Sequence, residues 1–309
     1  MTPGRTGAKA RDVTRVPAPL AFAVACVAVG TYAAMDVFMK SLSMQSGAVS
    51  AVLWRSWAGV ALSGAIFLGR RGRWPGREAL RLHLLRGSTA GASVLFFFWG
   101  LARIPMAKGV ALTFLAPLIA LFLAAAMLGE RLRRAAVWGS LIAGAGVLVI
   151  AWGEVEAQAS TDSVLGACAV FVASIFYAVS LVYLRQQAQA ADPIEVTLFT
   201  GLVMGTMLLP AAPVLSGLPA ASQWPLVAAA AALGTVSSIM FAGAYSHAEA
   251  QVLAPVEYTA FAWAALFGWL AFDELVTAFT VAGTALIVVG CLQAVRKPAG
   301  PAPQLEAGA

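Results

Sequence analysis

The chain has 309 residues, of which 61% are hydrophobic and 11% charged, with a formal net charge of +6. That is too little polar sequence to coat a soluble globule of this length. The positive balance invites a nucleic-acid reading, but the basic residues flank apolar runs of about 20 residues, the length that crosses a bilayer core. They report orientation in a membrane and not a nucleic-acid partner.

In chain order the apolar runs predict ten spans, with cores at 18–40, 47–69, 83–102, 106–128, 135–152, 164–184, 194–215, 224–246, 250–272 and 278–295. Arg5, Lys9, Arg11 and Arg15 precede the first, which is too long for a signal peptide and reads as an uncleaved anchor. Arg70, Arg71, Arg73, Arg77 and Arg81 follow span 2, Arg131, Arg133 and Arg134 follow span 4, and Arg185 follows span 6. Arg296 and Lys297 follow span 10. The alternate loops hold only Lys40, Arg103 and Lys108. The 153–163 loop is acidic (Glu154, Glu156, Asp162), and the 212–223 loop has no charge. Basic loops stay cytoplasmic, so both termini are expected in the cytoplasm of a bacterium, with the chain in its inner membrane. The tail after Lys297 is expected to be disordered. Cys26, Cys168 and Cys291 lie alone inside spans and read as small buried hydrophobes.

The second half repeats the first. Spans 4 and 5 run MAKGVALTFLAPLIALFLAAAMLGERLRRAAVWGSLIAGAGVLVI, and spans 9 and 10 run AEAQVLAPVEYTAFAWAALFGWLAFDELVTAFTVAGTALIVVG. Glu130 corresponds to Glu274, Gly139 to Gly283 and Gly146 to Gly290, and Tyr32-Ala33 recurs as Tyr177-Ala178. Five spans followed by five place the halves in opposite orientations. The expected fold is therefore an all-α membrane protein of ten transmembrane helices, two inverted five-helix repeats around a central cavity. The expected organisation is a cytoplasmic tail (1–17), a first repeat (18–152), an external linker (153–163), a second repeat (164–295) and a cytoplasmic tail (296–309).

The proline-containing span 4 ending in Gly129-Glu130, the glycines of span 5, and Ala254-Pro255-Val256-Glu257-Tyr258 leading to Phe272-Asp273-Glu274 resemble the drug/metabolite transporter superfamily in its ten-helix, EamA-type form. The family often has glycine where Asp273 stands here. The likeness covers about residues 18–295 and is closest to bacterial exporters of amino acids, including aromatic ones. It implies a basket of spans 1–4 and 6–9 around one cavity, with spans 5 and 10 at the periphery. The almost unbroken apolar character of spans 5 and 10, and their glycines, agree.

Ionisable groups inside a membrane are costly and so become functional candidates. Asp36 and Arg55 both fall in the outer half, Arg55 about 12 Å deep at helical rise. They either pair to fix two helices or meet a substrate ammonium and carboxylate. Lys40 and Lys108 lie close enough to the outer surface to snorkel. Glu257 sits just past Pro255, with Tyr258 and Thr259 beside it. Proline frees a backbone carbonyl, which a membrane tolerates beside protein or a water-filled cavity. Glu257 reads as an ammonium or proton site, or as a hydrogen-bonded cap between spans 8 and 9. Pro117, with Thr113 and Phe114 before it, is the matching kink in span 4. Phe96, Trp99, Tyr177, Ser237, Tyr258 and Trp263 complete the candidate lining, which suits a neutral or zwitterionic, partly apolar solute. A cavity for phosphates would show more intramembrane Lys and Arg than the single Arg55.

His83 and His247 are far apart and lack a second ligand at metal spacing, and no Walker loop, Rossmann glycine pattern or HExxH is present. No metal, cofactor or enzymatic activity is expected. Gly87-xxx-Gly91 and Gly201-xxx-Gly205 have the spacing of close helix contacts, read as packing within a monomer before a weak dimer. The sequence therefore predicts a secondary transporter exporting small metabolites by alternating access, with amino acids, aromatic or hydrophobic, as substrates. Export of other amphiphilic or cationic compounds is the alternative, ahead of a lipid flippase or membrane-embedded enzyme.

Overall fold

A computed structural model describes residues 18–72, 74–128, 134–156, 160–187, 193–215, 217–247 and 250–295; side chains are left out at 18–22, 117, 184–187, 241–257 and a few other helix-end positions. The described residues form helices α1 (Ala18–Ser46), α2 (Ala48–Gly69), α3 (Arg77–Leu101), α4 (Met106–Thr113), α5 (Ala116–Leu128), α6 (Arg134–Glu156), α7 (Thr161–Gln187), α8 (Pro193–Leu208), α9 (Ala212–Leu215), α10 (Trp224–His247), α11 (Ala250–Phe272) and α12 (Ala278–Val295). There is no strand among them. An all-helical bundle is what a bilayer demands, because each helix satisfies its backbone groups internally.

Among the described residues six helices are long and apolar enough to cross a membrane: Ala23–Ser46, Ala48–Gly69, Arg77–Leu101, Thr161–Tyr183, Ile194–Val214 and Ala221–Met240. Shorter apolar helical stretches cover Met106–Ala120, Val137–Gly153, Tyr258–Phe272 and Ala278–Gln293. The span expected over 106–128 is made of two helices, α4 and α5. The chain leaves the helix at Phe114–Leu115 through two tight turns, Phe114 N–H to Ala111 at 3.2 Å and Leu115 N–H to Leu112 at 3.3 Å. Pro117 lies in the first turn of α5, where its missing N–H has no helical partner to lose, and the break falls just upstream. Pro255 was expected to break its helix as well, but α11 runs unbroken through it from Ala250 to Phe272.

Small residues set the helix contacts. Gly87 and Gly91 of α3 lie against Val203, Met204 and Met207 of α8, while Gly201 and Gly205 of α8 lie against Val60 and Trp57 of α2. Both small-xxx-small pairs therefore work inside the bundle. Buried hydroxyls cross-link helices as well: Ser93 donates to Ala173 O at 2.9 Å, Ser174 to Leu112 O at 3.2 Å and Ser237 to Ala28 O at 2.6 Å. Gly47, at φ +81°, is the one-residue link between α1 and α2, a conformation that strains any L side chain. Of the cysteines, Cys291 is buried, but Cys168 is exposed, contrary to the sequence reading, because it lies on the same stripe of α7 as exposed Leu165 and Phe171.

α6 and α12 pair with each other through the glycines singled out in the sequence. A methyl group on Gly146 would lie 2.5 Å from the Gly283 carbonyl oxygen, one on Gly283 would lie 2.6 Å from that of Gly146, and one on Gly290 would lie 2.4 Å from that of Gly139. Gly144, on the same helix, has nothing within 4 Å of that position. Gly290→Ala is therefore expected to destabilise the protein by about 1–3 kcal/mol through overpacking. Thermal unfolding in detergent checks this: the midpoint should fall for Gly290→Ala and hold for Gly144→Ala.

Candidate functional site

The interior polar cluster is centred on Tyr32, near the middle of α1. Its hydroxyl lies 2.6 Å from the hydroxyl of Ser238 on α10. Asp36, one turn along α1, Arg55 of α2 and Arg86 of α3 are all within electrostatic reach of Tyr32, and Arg86 also of Tyr177 on α7. The Arg55 guanidinium has only soft contacts, Nη1 to Met35 Sδ at 3.4 Å and Nη2 to Met204 Sδ at 3.9 Å, and its buried Nε has no hydrogen-bond partner. Arg86 Nη1 donates to Thr200 Oγ1 at 3.0 Å, and its buried Nε is likewise unsatisfied. Thr200 and Met204 are one turn apart on α8, so that helix supports both guanidiniums.

Asp36 and Arg55 attract each other but form no ion pair among the described residues. Met35 holds the guanidinium, and the next residue on a helix projects about 100° away. Arg55 is also not the only cation inside the bundle, since Arg86 lies about 13 Å along α3 at helical rise. The argument against a phosphate cavity, which counted Arg55 as the single interior arginine, therefore loses its premise.

A second cluster closes one end of the bundle. The Lys40 ammonium, 3% exposed, donates to a Glu274 carboxylate oxygen and to Ile104 O (2.8 Å for the latter), and lies 4.9 Å above the Phe272 ring. The other Glu274 oxygen accepts the Met106 N–H at 2.7 Å, which caps α4. Asp273 reaches this turn at φ +53°, with its N–H on Trp269 O at 3.0 Å. That is the left-handed helix end where glycine is least strained, which explains why glycine suits this position. Lys40 and Lys108 do not snorkel: both are buried. An open cavity of about 290 Å³ lies at this end, lined by Lys40, Met44, Arg103, Ile104, Phe272 and Glu274 among others. Arg103 stacks on Trp99 at 3.6 Å and bonds Asp162 at 2.9 Å. Toward the opposite end, buried His83 meets Glu195 at 2.9 Å and stacks on Phe199 at 4.7 Å.

Of the predicted lining residues, Asp36 and Arg55 lie within electrostatic reach of Tyr32, whereas Tyr177, within reach of Arg86, is exposed. Ser237 is corrected: it is fully buried and tied to Ala28, and its neighbour Ser238 faces Tyr32. The aromatic residues are largely occupied with one another. Phe96 stacks on Phe176 at 5.9 Å, Phe114 meets Tyr258 edge-on at 5.2 Å, and Trp263 stacks on Phe267 at 5.7 Å and fills the space left by Gly30. Tyr258 also hydrogen-bonds Cys291. Thr113 bonds its own helix at Val110 O, 2.7 Å. The side chains of Pro117, Pro255 and Glu257 lie outside the described residues, as does Glu130 altogether.

A helical bundle with apolar outer faces and a charged interior is a multi-pass membrane protein. The sequence pattern of the EamA-like transporter family matches residues 19–152 and again 164–296. The chain belongs to the EamA-like transporter family. It is 27% identical over 278 residues to the pseudopaline exporter CntI of Pseudomonas aeruginosa (strain UCBPP-PA14), covering 90% of this chain and 96% of that one. An uncharacterized transporter of Helicobacter pylori (strain J99) is 27% identical over 209 residues, 64% of this chain and 67% of its own. A chain solved by crystallography shares the fold, with a TM-score of 0.60 and 21% identity over 89% of this chain and 97% of that one.

Proposed function

We propose that the protein is an inner-membrane exporter of amino-acid-type metabolites, working by alternating access between two inverted five-helix halves. The observation that carries this reading is the pair of interior guanidiniums, Arg55 and Arg86, each with a buried unsatisfied Nε, on helices next to the one that bears Tyr32 and Asp36. Unsatisfied guanidinium N–H groups suit a bidentate carboxylate. The kinship with a protein named as an exporter supports the outward direction. The aromatic side chains, stacked on one another, lend no support to a preference for aromatic substrates. Glu257, on α11, is proposed as a second acid for an ammonium or a coupling proton.

The halves would be residues 18–152 and 164–295, and the reciprocal contacts of Gly146 with Gly283 and of Gly139 with Gly290 are those expected across a pseudo-twofold axis. Counterflow in proteoliposomes with a panel of labelled amino acids, with and without a pH gradient, tests the function; absence of any saturable exchange would refute it. Topology is tested separately. With the native cysteines removed, single cysteines at Ser160 and Ser222 should react from the periplasm and one at Gly72 from the cytoplasm. Labelling of Ser160 and Gly72 from one side would rule out the inverted arrangement.

A further inference from the structure

We propose that the open cavity at the Lys40 end is a second binding site, for a carboxylate group, and that a carboxylate arriving there opens this end by replacing Glu274 on Lys40. Its link to export rests on the amino-acid reading above, in which the solute bears such a group. The cavity, about 290 Å³, is close in size to the smallest ligand pockets, about 300 Å³. Two cations line it, Arg103 partly exposed and Lys40 buried. Arg103 is held in place: Nε bonds Asp162 at 2.9 Å, Nη1 bonds Trp99 O at 2.8 Å, and the guanidinium stacks on the Trp99 ring. Among the described residues nothing bonds its Nη2, whose donors are left for a ligand. Glu274 is the one carboxylate among the lining residues, and both its oxygens are engaged, by the Lys40 ammonium and by the Met106 N–H. The cavity therefore offers free donors to an anion and no free carboxylate to a cation.

The exchange avoids the cost that holds this end shut. Pulling Glu274 away alone leaves the ammonium buried and uncompensated. Replacing one carboxylate by another keeps the charge matched. Glu274 keeps a seat of its own: its second oxygen stays on the Met106 N–H at 2.7 Å, and its backbone N–H bonds Gly268 O at 3.2 Å. Gly268 makes room for that seat, since a methyl group there would lie 2.8 Å from the second oxygen. The Ile104 carbonyl and the Phe272 ring are then the remaining contacts of the ammonium, and the charged tie between α1 and the turn after α11 is gone.

The test reads how fast a cysteine inside the bundle is modified from the Lys40 side. Proteoliposomes of the cysteine-free protein with Ser238→Cys receive a membrane-impermeant thiol reagent together with propionate, or with propionamide, its neutral isostere. Propionate should raise the rate about fivefold or more and propionamide should change it by less than about twofold, because only the anion compensates Lys40. In Arg103→Gln the propionate needed for half the effect should rise about tenfold, the loss of one charge-assisted hydrogen bond. In Lys40→Met/Glu274→Gln the effect should vanish, since no pair remains to exchange, and in Arg55→Gln it should persist. The comparison of propionate with propionamide needs none of these variants, so misfolding of Arg103→Gln leaves the inference exposed. The same rate with propionate, with propionamide and with neither overturns it. Loss of the effect in Arg55→Gln with retention in Arg103→Gln also overturns it, because the anion then acts from the interior. Counterflow with the amino-acid panel reports separately on transport. Acceleration by propionate without any counterflow supports the anion site and removes its link to export; counterflow without acceleration removes the site and leaves the transport reading intact.

Discussion

Arg55→Gln should cut transport at least thirtyfold while leaving the protein in the membrane. The guanidinium lies in the bundle interior with sulfur contacts to Met35 and Met204 and an unsatisfied Nε, so little of the fold depends on its charge. Neutral glutamine keeps polarity and much of the length. It removes a charge-assisted, bidentate contact with a substrate carboxylate. Truncating one partner of a buried charge pair costs about 2–5 kcal/mol, roughly thirtyfold to several thousandfold in affinity. Counterflow at fixed substrate should therefore drop at least thirtyfold, and part of the loss should return as substrate concentration is raised. Tyr32→Phe removes only a hydroxyl, whose partner Ser238 keeps a second bond to Gly234 O at 2.8 Å, and should cost about tenfold or less. Normal counterflow in Arg55→Gln would place the substrate elsewhere, with Glu257 the next acid to test. Loss of the protein from the membrane would make Arg55 a packing residue.

Length, apolarity and charge placement made the membrane bundle legible in the sequence, because a bilayer imposes a simple code on each span. The four glycines of α6 and α12 were legible for the same kind of reason: close helix contact tolerates little else. What failed was anything decided by rotation about a helix axis. Ser237 and Ser238 differ by one residue and about 100°, which separates a backbone cross-link from a place in the site. Lys40 and Lys108 lay near enough to a span end to reach water, and only the fold shows that Glu274 and the start of α4 cover Lys40. Arg86 escaped notice because it continues a run of basic residues, Arg77 and Arg81, that belongs outside the apolar core. Its one visible signal was position: five residues past Arg81, more than one further turn into a helix that goes on to Phe96 and Trp99.

The ion pair of Lys40 and Glu274 leads to an expected loss of stability and to a test of whether it also gates. Lys40 is buried and Glu274 partly so, and between them they engage Ile104 O, Met106 N–H and the Phe272 ring, linking α1, α4 and the turn after α11. Removing one partner leaves the other buried and uncompensated, at a cost of about 3–5 kcal/mol, whereas removing both is far milder. Lys40→Met and Glu274→Gln should each lower the thermal midpoint in detergent and the amount of protein in the membrane. The double variant Lys40→Met/Glu274→Gln should recover most of both, since glutamine still accepts the Met106 N–H. The proposed alternating access requires this end to open, and an ion pair tying three elements resists that. With the native cysteines removed and a cysteine at Ser238, the double variant should therefore be modified faster than the parent by a reagent added from the Lys40 side. Full stability recovery with an unchanged rate would make the pair a structural tie alone. Additive losses in the double variant would show that Lys40 and Glu274 act independently, and that neither compensates the other's charge.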